Sequence, residues 1–145
     1  AIPGHRIGAL IGGGVRIDAD LDNQEVGACH CDICRRWAGG PFLAVEASKN
    51  VVVAGTDLLG IYESSGWGER GFCNRCGSTL FWRSKDAAHY AISAMAFDDL
   101  TEAVLTKQIF IDSKPDWYAF ANETESMTGA EFLAQFASAE DKPNG

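Results

Sequence analysis

Three cysteines lie within six residues, in the segment Cys29-His30-Cys31-Asp32-Ile33-Cys34. Residues two apart on a strand point to the same side, so the thiols of Cys29 and Cys31 can converge. A Cys-x-x-Cys turn then brings Cys34 to the same point, as in zinc knuckles and ribbons. Three thiolates leave one tetrahedral position open, which is typical of a catalytic zinc. The alternative, three ordinary buried thiols, is disfavoured by so close a spacing.

Two arginines, Arg35 and Arg36, follow the third cysteine directly. A zinc ion with three thiolates carries one net negative charge, which these cations can offset. His30 alternates with Cys29 and Cys31 along the strand and therefore faces the opposite side. We expect His30 to pack in the interior or to form a hydrogen bond near the metal, and not to bind it.

A second pair of cysteines, Cys73 and Cys76, also has the spacing Cys-x-x-Cys. This spacing alone is ambiguous between metal binding and redox chemistry, and the redox motif belongs to a βαβ context. Here Gly77 and a strand-like segment at 78–82 follow instead, as in a zinc ribbon. One alternative is a closed site of four thiolates, in which Cys29 would have no role. Its ligands would be Cys31, Cys34, Cys73 and Cys76.

The composition predicts one globular domain at residues 1–145, with a frayed tail at 139–145. Of the 145 residues, 46% are apolar and 22% are charged, which suits a chain with an ordinary buried core. The net charge of −8 disfavours nucleic acid and anionic membranes as partners. The odd number and clustering of the five cysteines favour a reducing compartment, the cytoplasm. The apolar run 7–15 is rich in glycine, which disfavours a signal peptide, and no run reaches the length of a membrane span.

Short strands dominate the pattern along the chain. Alternating apolar and polar residues predict a half-buried strand at 15–19, and further short strands are predicted at 42–47, 51–54, 59–62, 79–82, 90–93 and 108–111. A short helix is predicted from Asp32 to Trp37, and a second helix is predicted to begin at Thr128 with a capping box. Because long helices do not alternate with strands, the predicted fold class is mainly β with antiparallel sheets. An apolar stripe on the second helix is expected to pack on the core, at Phe132, Leu133, Phe136 and Ala137.

Two longer motifs resemble those of the glutathione-dependent formaldehyde-activating enzyme family. The first is Cys-His-Cys-x-x-Cys-Arg-Arg-Trp-x-Gly-Gly-Pro-Phe at 29–42, and the second is Arg-Gly-Phe-Cys-x-x-Cys-Gly-Ser-x-Leu-Phe at 70–81. The resemblance extends over residues 8–121. It implies a β-tent fold of stacked antiparallel sheets, related to zinc ribbons. It also implies a catalytic zinc on Cys29, Cys31 and Cys34.

The resemblance further implies a second, structural zinc on Cys73 and Cys76, completed by a Cys-x-Cys near the N-terminus. The chain departs from the family there, because Leu10 and Gly12 occupy the two positions. Two thiolates alone hold zinc poorly, so we expect one zinc site and the loss of the second. Cys73 and Cys76 would then be metal-free, recruited elsewhere or joined in a disulfide.

The function implied by the resemblance is a zinc-dependent carbon–sulfur lyase or synthase that joins or releases a formaldehyde-like aldehyde and glutathione. In this hypothesis the thiol binds at the open zinc position, which lowers its pKa and holds it beside the aldehyde. Arginines would hold the glutathione carboxylates and aromatic rings would wall the pocket. The candidates are Arg35, Arg36, Arg70, Trp37, Phe72 and Trp82.

Two alternative functions remain open at this point. One is a non-catalytic binding module stabilised by zinc, which predicts a fourth protein ligand that closes the site. The other is a carbon–sulfur lyase that uses the same zinc on another thiol.

Overall fold

The computed structural model describes residues 4–137, so the tail predicted at 139–145 lies outside the described residues. Within this range the fold is mainly β, as predicted, with ten strands and two α-helices. The strands are β1 (His5–Ala9), β2 (Arg16–Leu21), β3 (Glu25–Cys29), β4 (Phe42–Ala54), β5 (Leu59–Glu63), β6 (Gly68–Cys73), β7 (Thr79–Ser84), β8 (Tyr90–Ser93), β9 (Val104–Ile109) and β10 (Glu125–Ser126). The helices are α1 (Asp32–Ala38) and α2 (Gly129–Ala137). Neither helix is long and apolar enough to cross a membrane.

The strands form one mixed sheet in the order β10-β9-β3-β4-β8-β7-β6-β5, which β1 and β2 join through the pairing of β2 with β4. Most neighbouring strands are antiparallel, as predicted, but β9 runs parallel to both β3 and β10. Parallel neighbours need a long connection. The strands β4 to β8 supply it between β3 and β9, so no crossover helix is required.

Strand β4 is the longest element of the sheet, with 13 residues, and it unites the two strands predicted at 42–47 and 51–54. Its first half pairs with β3 and β8, and its second half pairs with β2. Register shifts in the β2–β4 ladder and a φ of 54° at Asn50 mark the irregularity between the halves. One irregular strand thereby links the β1–β2 ribbon to the part of the sheet that carries the cysteines.

Four of the described strands were not predicted; β1, β3 and β6 each contain glycine, and β10 has only two residues. Glycine interrupts the alternation of apolar side chains on which strand prediction depends. At Gly71 of β6 the missing side chain is required, because a Cβ there would lie 2.4 Å from the fully buried ring of Phe81. Gly71 therefore allows β6 to pack closely against the Phe81 ring.

Both helices begin where the local sequence predicts, and α1 extends one residue beyond the predicted end at Trp37. The backbone N–H of Cys34 donates to Cys31 Sγ at the start of α1, and Gly39 ends the helix with a φ of 79°. At the start of α2 the Thr128 hydroxyl accepts from the N–H of Glu131, and the Glu131 carboxylate accepts from the N–H of Thr128. This reciprocal pair is the capping box that the sequence predicted.

Candidate metal centre and substrate pocket

Strand β3 and helix α1 bring Cys29, Cys31 and Cys34 together. Cys29 is the last residue of β3, Cys31 caps the helix, and Cys34 lies in its first turn. Their three sulfur atoms lie within 4.8 Å of one another. Zinc–sulfur bonds of about 2.3 Å in tetrahedral geometry place sulfurs about 3.8 Å apart, so the cluster fits a zinc ion. Among residues 4–137, no fourth His, Cys, Asp or Glu joins this group.

A buried arginine supplies the positive charge next to the cluster. Arg70 of β6 is 3% exposed, donates from Nη1 to Cys34 Sγ at 3.2 Å, and donates from Nε to Ser64 Oγ. No carboxylate forms an ion pair with it in the described part of the chain. A buried cation needs a compensating negative charge. Three thiolates that held a zinc ion, with a net charge of −1, would provide that charge.

Without a metal, the pKa values of the three thiols differ widely. Hydrogen bonds from Cys29 and Cys34 lower the pKa of Cys31 to about 2, whereas the hydrogen bonds to Cys31 and Cys34, together with burial, raise the pKa of Cys29. The cluster therefore stabilises one thiolate readily and resists the next. A bound cation is required before all the thiols can be deprotonated together.

His30 is buried and hydrogen-bonded, as predicted from its alternation with Cys29 and Cys31 along the chain. Its side chain is fully buried, and its two ring nitrogens contact Gln108 Oε1 and the Tyr118 hydroxyl, each at 2.8 Å. The amide oxygen of Gln108 can only accept, so Nε2 carries the proton and Nδ1 accepts from Tyr118. Burial lowers the pKa of His30. Both nitrogens are thus committed to hydrogen bonds, which leaves none for a metal.

Only some of the predicted substrate-binding residues line the pocket. Arg70 and Trp82 line the pocket described below. The Trp37 ring lies 5.0 Å from the Phe42 ring and 5.0 Å from the Arg70 guanidinium. The other three lie elsewhere: Arg35 donates to the carbonyl of His30 and pairs with Asp32, Arg36 is exposed, and Phe72 packs against Gly60 of β5.

A pocket of about 340 Å³ opens beside the cysteine cluster over one face of the sheet. Cys29, Cys31 and Cys34 form one part of its lining. Six aromatic rings form most of the wall, from Phe42, Trp67, Trp82, Phe110, Phe132 and Phe136. The pocket thus combines a thiol cluster with an apolar interior, which is typical of small-molecule sites.

Charged side chains other than Arg70 also line this pocket, and no sequence motif marks them. Glu46, His89 and Lys107 belong to the lining. His89 Nε2 lies 3.1 Å from Glu46 Oε1, and this contact raises the pKa of His89 and lowers that of Glu46. Asp22 completes a group of possible ligand atoms with Glu46 and His89, although Asp22 is exposed and the Glu46 side chain is 47% exposed. The alternation of Phe42, Ala44 and Glu46 along β4 is the only sequence signal that links Glu46 to the cysteine cluster.

Cys73 and Cys76 lie apart from the first cluster, at the turn between β6 and β7. Cys73 is buried, and its sulfur accepts from the N–H of Cys76. Hydrogen bonds from Ser78 lower the pKa of Cys76 to about 6. No third His, Cys, Asp or Glu joins the pair among residues 4–137, so the four-thiolate alternative is wrong.

The two positions where a second zinc site would need further thiols are close to this pair. Leu10 is buried in the same core cluster as Cys73, with Cys76 packed against it. A Cβ at Gly12 would lie 3.9 Å from Cys76 Sγ, so a cysteine there would reach the pair. Because neither Leu10 nor Gly12 has a side-chain atom that can bind zinc, the residues present do not fit a structural zinc at this turn.

The sequence and the fold are similar to those of known proteins. A family profile described as glutathione-dependent formaldehyde-activating enzyme matches residues 7–113. A Schizosaccharomyces pombe protein named as an uncharacterised lyase is 33% identical over 120 residues, which cover 82% of this chain and 88% of the yeast protein. A Halomonas elongata protein named for glutathione-dependent formaldehyde activation is 34% identical over 100 residues, or 61% of this chain and 63% of that protein.

The fold is also similar to that of a solved structure. The crystal structure of a Rhodobacter sphaeroides protein superposes with a TM-score of 0.57 at 23% sequence identity, and the match covers 69% of this chain and 99% of that protein. Helix α2 and the two phenylalanines that it places in the pocket lie beyond residue 113, where the family match ends.

Proposed function

Because the chain belongs to the glutathione-dependent formaldehyde-activating enzyme family, we propose that it is a zinc-dependent carbon–sulfur lyase or synthase. Its substrates would be a small aldehyde and a thiol, glutathione. The observation that carries the proposal is the group of three sulfurs within 4.8 Å that lines a pocket and has no fourth protein ligand among residues 4–137. All five cysteines are unpaired, which supports a reducing location such as the cytoplasm.

In the synthase direction, the sulfur of the thiol adds to the carbonyl carbon. A sulfur–carbon bond forms, the π electrons of the carbonyl move to oxygen, and oxygen takes up the proton that the thiol has lost. When bound, zinc supplies Lewis-acid chemistry that lowers the pKa of a coordinated thiol. Cys29, Cys31 and Cys34 would hold the ion, and the aromatic wall would keep water away from the reacting groups.

One charged group of the pocket suits a polar end of glutathione. The half-buried Lys107 can pair with a carboxylate, whereas the Glu46 carboxylate is already paired with His89. Arg70 is already committed to Cys34 and Ser64 through two of its donors. We therefore assign Arg70 to charge compensation at the thiolates and Lys107 to carboxylate binding.

The two alternative functions differ from this proposal in what they require. A structural zinc module needs a fourth protein ligand, and the described part of the chain offers none at the cluster. A carbon–sulfur lyase for another thiol would use the same cluster. The test must therefore compare thiols as well as variants.

Exchange between free formaldehyde and S-(hydroxymethyl)glutathione at equilibrium tests the proposal, since magnetisation-transfer NMR follows both directions against the spontaneous background. We expect the zinc-loaded wild type and Cys76→Ser to accelerate exchange, and Cys34→Ser to leave it at the background rate. Acceleration that survives in Cys34→Ser would overturn the proposal. Acceleration with free cysteine but not with glutathione would identify a different thiol.

A further inference from the structure

The lysine and the tryptophans of the pocket lie on different flanks. Lys107 belongs to β9, which pairs with β3 beside the cysteines. Trp82 belongs to β7, on the other side of β4 and β8 in the sheet, and the Trp67 ring lies 5.1 Å from the Trp82 ring. A glutathione carboxylate at Lys107 therefore leaves the flank beside the two tryptophans, the apolar section of the pocket, for another group.

Helix α2 closes this apolar section from the side opposite the sheet. Its Phe132 ring lies 5.9 Å from Phe110, and its Phe136 ring lies 6.3 Å from Trp67. The Asp112 carboxylate accepts from the N–H of Gly129 at 2.8 Å, and a Cβ at Gly129 would lie 2.6 Å from the Phe110 ring. The helix is therefore tightly docked against the pocket residues.

Formaldehyde has no apolar group that such a wall could bind. Aromatic surface that faces a pocket is stabilised when an apolar ligand displaces water from it. Each buried methylene group strengthens binding by about fourfold, whereas a one-carbon aldehyde gains nothing from the rings. A pocket of about 340 Å³ is within the size range that encloses whole organic ligands.

We propose that the aldehyde handled at this site carries an apolar group, either an aromatic ring or an alkyl chain of several carbons. This inference rests on the proposed function and specifies its second substrate. The apolar group lies in the section of the pocket that is lined by Trp67, Trp82, Phe132 and Phe136. The product is a hemithioacetal, in which the thiol sulfur bonds to the former carbonyl carbon and the thiol proton goes to the oxygen. No electrons are gained or lost, so no further reactant is needed.

Thioethers of glutathione test the proposal without a reactive aldehyde, because the group on sulfur stands where the aldehyde carbon would be. The zinc-loaded full chain is titrated with S-methylglutathione and S-hexylglutathione, and binding is followed by calorimetry and by the fluorescence of the pocket tryptophans. We expect the hexyl derivative to bind at least about a hundredfold more tightly, since it buries five more methylenes. Equal affinities, or tighter binding of the methyl derivative, would overturn the proposal.

Variants of α2 identify the wall that is responsible. Phe136→Ala should weaken binding of the hexyl derivative about tenfold and leave the methyl derivative unchanged, with Phe136→Leu between them. Phe72→Ala, which removes a ring outside the pocket, is the matched control and should change neither affinity. A hexyl preference that Phe136→Ala and Phe132→Ala both leave intact would overturn the assignment to this wall.

Kinetics separate this inference from the proposed function. We expect Phe136→Ala to lower kcat/KM about tenfold for hexanal with glutathione and to leave the value for formaldehyde unchanged. Efficient turnover of formaldehyde with no gain from hexanal would overturn the inference while the proposed function stands. No catalysis with any aldehyde, and no binding of either thioether, would overturn both.

Discussion

The two Cys-x-x-Cys turns of the molecule have the same local geometry and different surroundings. In each turn the N–H of the second cysteine donates to the sulfur of the first at 3.4 Å. The first turn, Cys31 to Cys34, gains a third thiol from β3 and a buried cation from β6. The second turn, Cys73 to Cys76, meets Leu10 and Gly12 instead. Whether a Cys-x-x-Cys turn can bind a metal therefore depends on the ligand atoms and charges that neighbouring strands supply, and not on the turn alone.

The largest expected effect separates the two turns by metal content. Protein purified without added metal should contain one zinc per chain, and Cys34→Ser should contain almost none, because two remaining thiolates hold zinc poorly. Cys76→Ser should retain the full zinc content. Elemental analysis checks both variants, and circular dichroism confirms that they are folded. Zinc that persists in Cys34→Ser but disappears in Cys76→Ser would reverse the comparison.

The next effect is the pH dependence of zinc binding at the first turn. Cys31 has a pKa lowered to about 2, whereas the pKa of Cys29 is raised and that of Cys34 is raised to about 11. Zinc must therefore displace about two protons at neutral pH, so binding strengthens as pH rises, by about a hundredfold per pH unit. Competition with a chelator between pH 6 and pH 8 measures the slope. A slope near zero would contradict this account of the thiols.

Removal of the buried cation should have a smaller effect. Arg70→Gln eliminates the positive charge beside Cys34, and partners just outside a metal site typically change affinity by about 10- to 100-fold. The matched control is Arg83→Gln, because Arg83 pairs with Glu69 instead of the thiols. Zinc affinity should fall in the first variant and not in the second. Equal affinities in wild type and Arg70→Gln would show that the charge is compensated elsewhere.

The smallest effect concerns the second pair of cysteines, Cys73 and Cys76. Cys76 is partly exposed, and hydrogen bonds from Ser78 lower its pKa to about 6. Ser78→Ala should raise that pKa, and a rise of one unit would slow alkylation of Cys76 at pH 6.5 by about threefold. Mass spectrometry of zinc-loaded protein treated with iodoacetamide gives the rate. Preferential labelling of Cys29, Cys31 or Cys34 in that protein would contradict the assignment of the metal to the first turn.

The parts of the site that were predictable from the sequence are local in the chain. The spacing of Cys29, Cys31 and Cys34 fixes their convergence within one strand end and one helical turn, and the capping box fixes the start of α2. Arg70 was expected to contact substrate, but its role at Cys34 depends on contacts 36 residues apart in sequence. Local patterns cannot specify how distant strands align.

The apolar wall and the mixed sheet were missed for the same reason. The start of helix α2 was predicted correctly, and its apolar stripe, which includes Phe132 and Phe136, was expected to pack on the core. The position of the helix over the pocket depends instead on tertiary contacts with Trp67 and Phe110. Likewise, the parallel pairing of β3 with β9 joins segments that are distant in sequence. Apolar patterns identify a buried face without identifying what it covers.

The open position at the first turn is the central claim, and cobalt spectroscopy tests it most directly. Cobalt(II) replaces zinc at thiolate sites, and its sulfur-to-metal charge-transfer absorption grows with the number of bound thiolates. We expect the cobalt-loaded protein to show the charge-transfer absorption of three bound thiolates. This absorption should increase when glutathione is added and should not change when S-methylglutathione is added. A spectrum of four thiolates before glutathione, or one that glutathione leaves unchanged, would contradict an open site that takes a thiol.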